Sequence, residues 1–60
     1  ILAADSAELM RQACEKLASA RYLTEKVLYS LSSTQFKLKR EMRTQLEDIR
    51  ALQEKYRCGQ

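Results

Sequence analysis

Few side chains in this chain could do chemistry, and their spacing does not gather them. There are two cysteines, Cys14 and Cys58, and no histidine. Two thiols without a third or fourth ligand cannot complete an ordinary structural zinc site within one chain. A cysteine nucleophile has no imidazole to activate it. The carboxylates are scattered along the polar side, so no pair is set up for acid–base work, and a rod offers no pocket to hold a substrate. The residues argue against an enzyme and imply no cofactor and no metal. On a continuous helix Cys14 and Cys58 stand too far apart to bridge within one chain. Reduced thiols in a cytosolic protein follow, or a Cys14–Cys14′ bond between the chains of a parallel dimer.

Charge is the next candidate. The chain carries +3 overall. Residues 1–30 set four cations against four carboxylates, and residues 31–60 set seven against four. The basic run Lys37, Lys39, Arg40 and Arg43 precedes further heptads, as in a basic leucine zipper. It lacks that family's asparagine-centred reading pattern and contains Glu41, so no nucleic-acid partner is expected. Leu52 to Arg57 matches the first half of an IQ motif, with Arg57 four residues after Gln53. A calmodulin-binding regulatory helix is therefore the alternative function.

The element that must carry these residues is a long helix. With Leu28 at heptad position a, the a sites are Cys14, Arg21, Leu28, Gln35, Met42, Ile49 and Tyr56. The d sites are Met10, Leu17, Thr24, Leu31, Leu38, Gln45 and Leu52. The f sites, from Gln12 to Glu54, are polar throughout. An apolar stripe at this period with a polar back predicts an all-α chain: a single helix over about 5–57 in a coiled coil or four-helix assembly with other chains. Residues 1–60 then form one coiled-coil segment. The opening Ile, in place of Met, fits a piece excised from a longer protein.

Asp5 is the expected N-cap with Glu8 three residues on, and Gly59 the expected C′ residue. Pairs Arg11–Glu15, Lys37–Glu41, Arg43–Glu47 and Arg50–Glu54 add about 0.3 kcal/mol each. Arg21 and Thr24 interrupt the seam, and Arg21 must snorkel or find a carboxylate. Residues 30–35, SLSSTQ, are the weakest stretch, because Ser and Thr compete for backbone hydrogen bonds. Ser32 with Gln35 resembles a capping box, so a helix–turn–helix hairpin is the alternative. The lack of Gly, Asn and Pro favours one helix, bent here.

The predicted dimer core is Met10, Cys14, Leu17, Leu28, Leu31, Leu38, Met42, Ile49, Leu52 and Tyr56, in a parallel self-dimer. Leu2, Leu9 and Leu23 at c, with Ala13, Ala20 and Val27 at g, widen the apolar band beyond a two-stranded seam. Tyr22, Tyr29 and Phe36 repeat every seven residues at b. Leu9, Leu23, Val27, Tyr22, Tyr29 and Phe36 therefore form the expected face for a partner helix, completing a four-helix assembly. There is no run of about 20 apolar residues to span a membrane and no signal peptide.

The stretch STQFKLKREMRTQLEDIRALQEKYRCGQ resembles the C-terminal helical motif of the centrosomin family. The likeness rests on a helix of this length, polar core interruptions, a basic middle and a Cys-Gly end. It implies a centrosome scaffold segment that dimerises and binds another helical segment of the same protein, with a cytoplasmic, cytoskeletal location. No functional site is carried over from it.

Overall fold

The computed structural model describes residues 2–59, with side chains described from Ser6 onward. It is all helical: α1 runs Leu2–Ser30 and α2 runs Phe36–Lys55. The two lie antiparallel in a rod of 52 × 17 × 16 Å. The single helix expected over 5–57 is thus interrupted, and the chain folds back on itself.

The break is built by the residues that weaken a helix. Ser30 Oγ donates to the Lys26 carbonyl at 2.7 Å, and the Leu31 amide reaches only back to Leu28, at 3.4 Å. Ser32 to Gln35 then form a turn closed by the Gln35 amide on the Ser32 carbonyl at 3.1 Å. Gln35 Oε1 accepts from the Ser32 amide at 3.0 Å, and Ser32 Oγ lies 2.8 Å from Thr34 Oγ1. The Ser30 hydroxyl and the Gln35 amide oxygen therefore engage backbone groups at the break, and the Ser32 and Thr34 hydroxyls bond each other beside them. No residue of this turn has a positive φ, so it needed neither Gly nor Asn.

α1 begins at Leu2, which puts Asp5 within the helix and not at its cap; the Asp5 and Leu2 side chains lie outside the described residues. The C-terminal end of α2 is a Schellman closure. The Arg57 amide donates to the Glu54 carbonyl at 3.1 Å and the Cys58 amide to the Gln53 carbonyl at 2.8 Å. Arg57, at φ 56°, takes the left-handed C′ position expected for Gly59, which follows at φ 95°.

The helices meet along one line. Arg21 Nη1 donates to Gln53 Oε1 at 3.2 Å, and Cys14 is joined to Cys58. Seven residues along α1 from Arg21 is Leu28, and seven back along α2 from Gln53 is Leu46. Leu28 and Leu46 are the two buried apolar side chains among the described residues, at 7% and 6% exposure. On α1 the shielded positions are the seam residues Cys14, Leu17, Arg21, Thr24 and Leu28, flanked by Ala13, Ala20 and Glu25, and Leu31 just past its end is shielded too. On α2 they are Lys39, Met42, Leu46, Ile49 and Gln53.

The α2 stripe is rotated from the expected one. Leu38 and Leu52, read as core, are 39% exposed each, and Tyr56 is 38% exposed. Rotation replaces a stripe centred on polar Gln45 by one centred on Leu46, which is the better apolar surface. Lys39 and Gln53 sit at the stripe's ends: a long stem lets Lys39 cover apolar neighbours while its head reaches water, and Gln53 turns its amide oxygen to Arg21 across the pair.

Candidate functional site

One covalent link shapes this molecule. Cys14 and Cys58 form a disulfide with Cα atoms 5.5 Å apart, across a sequence separation of 44. The expectation that they cannot bridge within one chain held only for a straight helix; the turn at 31–35 brings the ends together. Closing a loop of this length removes about 4 kcal/mol of entropy from the unfolded chain in the chain-entropy account. The left-handed Arg57 reverses the chain just before Cys58 and so carries its sulfur back to α1. Disulfides persist in oxidising surroundings, so this state differs from the reduced cytosolic thiols expected from the sequence.

A cleft of about 430 Å³ opens beside the disulfide, lined by Arg11, Glu15, Ala18, Arg21, Gln53 and Gly59. Arg11 is held between Glu8 and Glu15, with its Nε 3.1 Å from Glu8 Oε2. The hydrogen bond from Arg11, then that from Gln12, lowers the Glu8 pKa below its ordinary value; Glu8 in turn raises that of Arg11, with a smaller contribution from Glu15. Arg21 Nε is 3.7 Å from Glu25. Arg21, expected to need a carboxylate, thus has one beside it and an amide oxygen across the helix pair. Of the four ion pairs expected along the helices, Arg11–Glu15 forms. Lys37–Glu41, Arg43–Glu47 and Arg50–Glu54 are not closed among the described residues. Exposed pairs of this kind gain little over the entropy of holding two long side chains together.

The two long sides of the hairpin differ. Viewed along the rod, one helix winds toward the observer and the other away. Equal rotations from the contact line therefore bring both helices to the same side. At about 100° per residue, Leu9, Leu23 and Val27 of α1 share one side with Leu38, Leu52 and Tyr56 of α2. Their exposures are 63%, 60%, 45%, 39%, 39% and 38% in that order. Ala13 and Ala20 lie between them. The opposite side carries Tyr22, Tyr29 and Phe36 with the arginines of α2. A groove of about 430 Å³ there is lined by Tyr29, Lys39, Arg43, Glu47 and Arg50 over Leu28, Leu31 and Leu46. Lys26 Nζ lies 5.2 Å from the Tyr22 ring centroid.

The residues expected to form a dimer core are thereby divided. Cys14, Leu17, Leu28 and Leu31 face the chain's own second helix and Met42 and Ile49 face its first, while Leu38, Leu52 and Tyr56 join the apolar side. Met10 lies beyond the end of α2 and is 42% exposed. The residues expected to dock a partner helix divide too: Leu9, Leu23 and Val27 lie on the apolar side, and Tyr22, Tyr29 and Phe36 on the charged one. Sequence reasoning missed Leu46. Its signal was the spacing Met42, Leu46, Ile49, Gln53, a second stripe that shares two residues with the first.

In the IQ-like stretch, Gln53 is turned to Arg21, and Arg57 lies past the helix end. No group of three or more His, Cys, Asp or Glu residues that could hold a metal ion occurs among the described residues. No helix among them is long and apolar enough to cross a membrane. No protein-family model, curated protein or solved structure matches the chain. The likeness to the centrosomin motif rests on the residues quoted for it alone, and the continuous helix it supposed is here a hairpin.

Proposed function

We propose that this chain is a self-association module whose hairpins pair through their apolar sides into a four-helix bundle. The single observation that carries this is the placement of Leu23, Val27, Leu38, Leu52 and Tyr56 on one side of a two-helix layer, with Leu9 continuing the same side of α1 past the end of α2. A layer of secondary structure is stable when a second layer covers its apolar face. Here the hairpin buries only Leu28 and Leu46 among its described apolar residues, so most of its hydrophobic stabilisation has to come from a partner. The side in question measures up to 52 × 17 Å, the scale of a standard interface at about 800 Å² per partner. A second copy supplies a surface of the same length, width and character. The task is structural: it holds longer chains together, as in a cytoskeletal or centrosomal scaffold.

Sedimentation of the oxidised chain tests the reading. The expected result is twice the monomer mass at micromolar strand concentration. The double change Leu23→Glu with Val27→Glu is expected to return it to the monomer while the helical circular dichroism of the disulfide-closed chain persists. An oxidised wild type that stays monomeric up to millimolar concentration would overturn the proposal.

A further inference from the structure

The turn and the two α2 stripes together suggest that this chain has a second interaction surface, which the hairpin uses up. We propose that the Cys14–Cys58 disulfide selects which surface is offered to a second copy. Oxidised, the chain is the closed hairpin. Reduced by a dithiol, it straightens into one helix and pairs in parallel with another copy through a continuous seam of Leu28, Leu31, Leu38, Met42, Ile49 and Leu52.

Three observations support this. First, the a and d positions keep one phase from Cys14 to Leu52, straight through the turn, which a permanent hairpin does not require. Met42 and Ile49 serve both stripes, so the two arrangements exclude each other. Leu38 and Leu52 belong to the continuous seam and not to the hairpin's own contact line, which leaves them 39% exposed on the apolar side.

Second, residues 31–35 weaken a helix without forbidding one. No residue there has a positive φ, none is Gly or Pro, and the bonds that close the turn, the Gln35 amide on the Ser32 carbonyl and the side-chain bonds of Ser32 and Gln35, are ones a helix can replace.

Third, the closed form depends on the link. Its core holds two buried apolar side chains among the described residues, whereas a coiled coil of two copies would enclose the seam residues of both.

The disulfide is reachable. Both cysteines are half-buried and the cleft of about 430 Å³ opens onto them. A dithiol attacks one sulfur as its thiolate and forms a mixed disulfide, which its second thiol then displaces. The protein gains two electrons and two protons and ends with Cys14 and Cys58 as thiols. The dithiol loses the same and closes to a cyclic disulfide.

Solution scattering and sedimentation of the full chain, with and without dithiothreitol, test the proposal. The oxidised form is expected to keep a longest dimension near 52 Å. The reduced form is expected to reach about 80–90 Å, at 1.5 Å per residue, with twice the monomer mass. Ser33→Pro supplies the control. Ser33 stands at the first central position of the turn, where proline is accepted, and its amide makes no hydrogen bond among those described. Proline in a helix interior breaks the helix. The variant should match the oxidised wild type and fail to lengthen on reduction. Three results would each overturn the proposal: a reduced wild type that keeps the hairpin's length, one that loses its helix as a monomer, or a reduced Ser33→Pro chain as long as the wild type. The mass of the oxidised form bears only on the face-to-face dimer, so the two readings fail separately.

Discussion

Leu46 and Leu38 are both leucines on α2, eight residues apart, and they carry very different weight. Leu46 is 6% exposed against Leu28, and Leu38 is 39% exposed. Removing a buried leucine costs both its transfer free energy and the cavity left behind, typically 2–5 kcal/mol. In a two-helix layer the neighbours can close in, which favours the lower end. Leu46→Ala is expected to destabilise the oxidised chain by about 2 kcal/mol in urea unfolding. Leu38→Ala, measured at concentrations too low for association, is expected to cost well under half of that. Equal losses would mean that the stripe centred on Gln45 is the one that packs.

At the scale of elements, α1 was legible and α2 was not. The seam along α1 is unambiguous, and its positions from Cys14 to Leu28 are all shielded, with Ala13, Ala20 and Glu25 beside them. In α2 two stripes compete through Met42 and Ile49. The choice between Leu38 with Leu52 and Leu46 depends on which surface lies opposite, which periodicity alone does not contain. The turn left a trace in Ser32 and Gln35. The Ser32 amide donates to Gln35 Oε1, which is half of a capping box. The Gln35 amide goes to the Ser32 carbonyl, and α2 starts from Gln35 without a side-chain cap. Turns of this kind are usually marked by Gly, Asn or Pro, and here hydroxyl side chains do the same work without them. The disulfide was hidden behind that misreading, because the separation of Cys14 and Cys58 depends wholly on whether the helix breaks. The end of α2 shows the opposite case. A left-handed Arg57 carries a steric cost that glycine avoids, roughly 1–2 kcal/mol, partly offset by glycine's greater freedom when unfolded. Arg57→Gly should therefore raise the stability of the oxidised chain by about 0.5–1 kcal/mol, read as an upward shift of the thermal midpoint.

For the whole molecule, the proportions decide what it can do. A rod 52 Å long and 17 Å wide presents two long sides of different character. One is apolar and spans both helices. The other carries Tyr22, Tyr29 and a cationic groove. The self-association proposed above would cover the first of these sides with a surface of similar length.

The disulfide also fixes how the molecule carries load. It joins residue 14 to residue 58, so tension applied at the two chain ends runs along the first turns of α1, through the sulfur–sulfur bond and out. The whole of α2, the turn and most of α1 hang beside that line and feel none of it. Under pulling, the oxidised chain should yield little beyond its N-terminal turns. Once the bond is reduced, the stored loop, spanning a sequence separation of 44, can pay out about 150 Å at 3.3–3.6 Å per residue. A single-molecule extension trace with and without dithiothreitol should show this step only in the reduced chain. In a scaffold held at both ends, the chain would act as a tether whose length is set by the redox state of its surroundings.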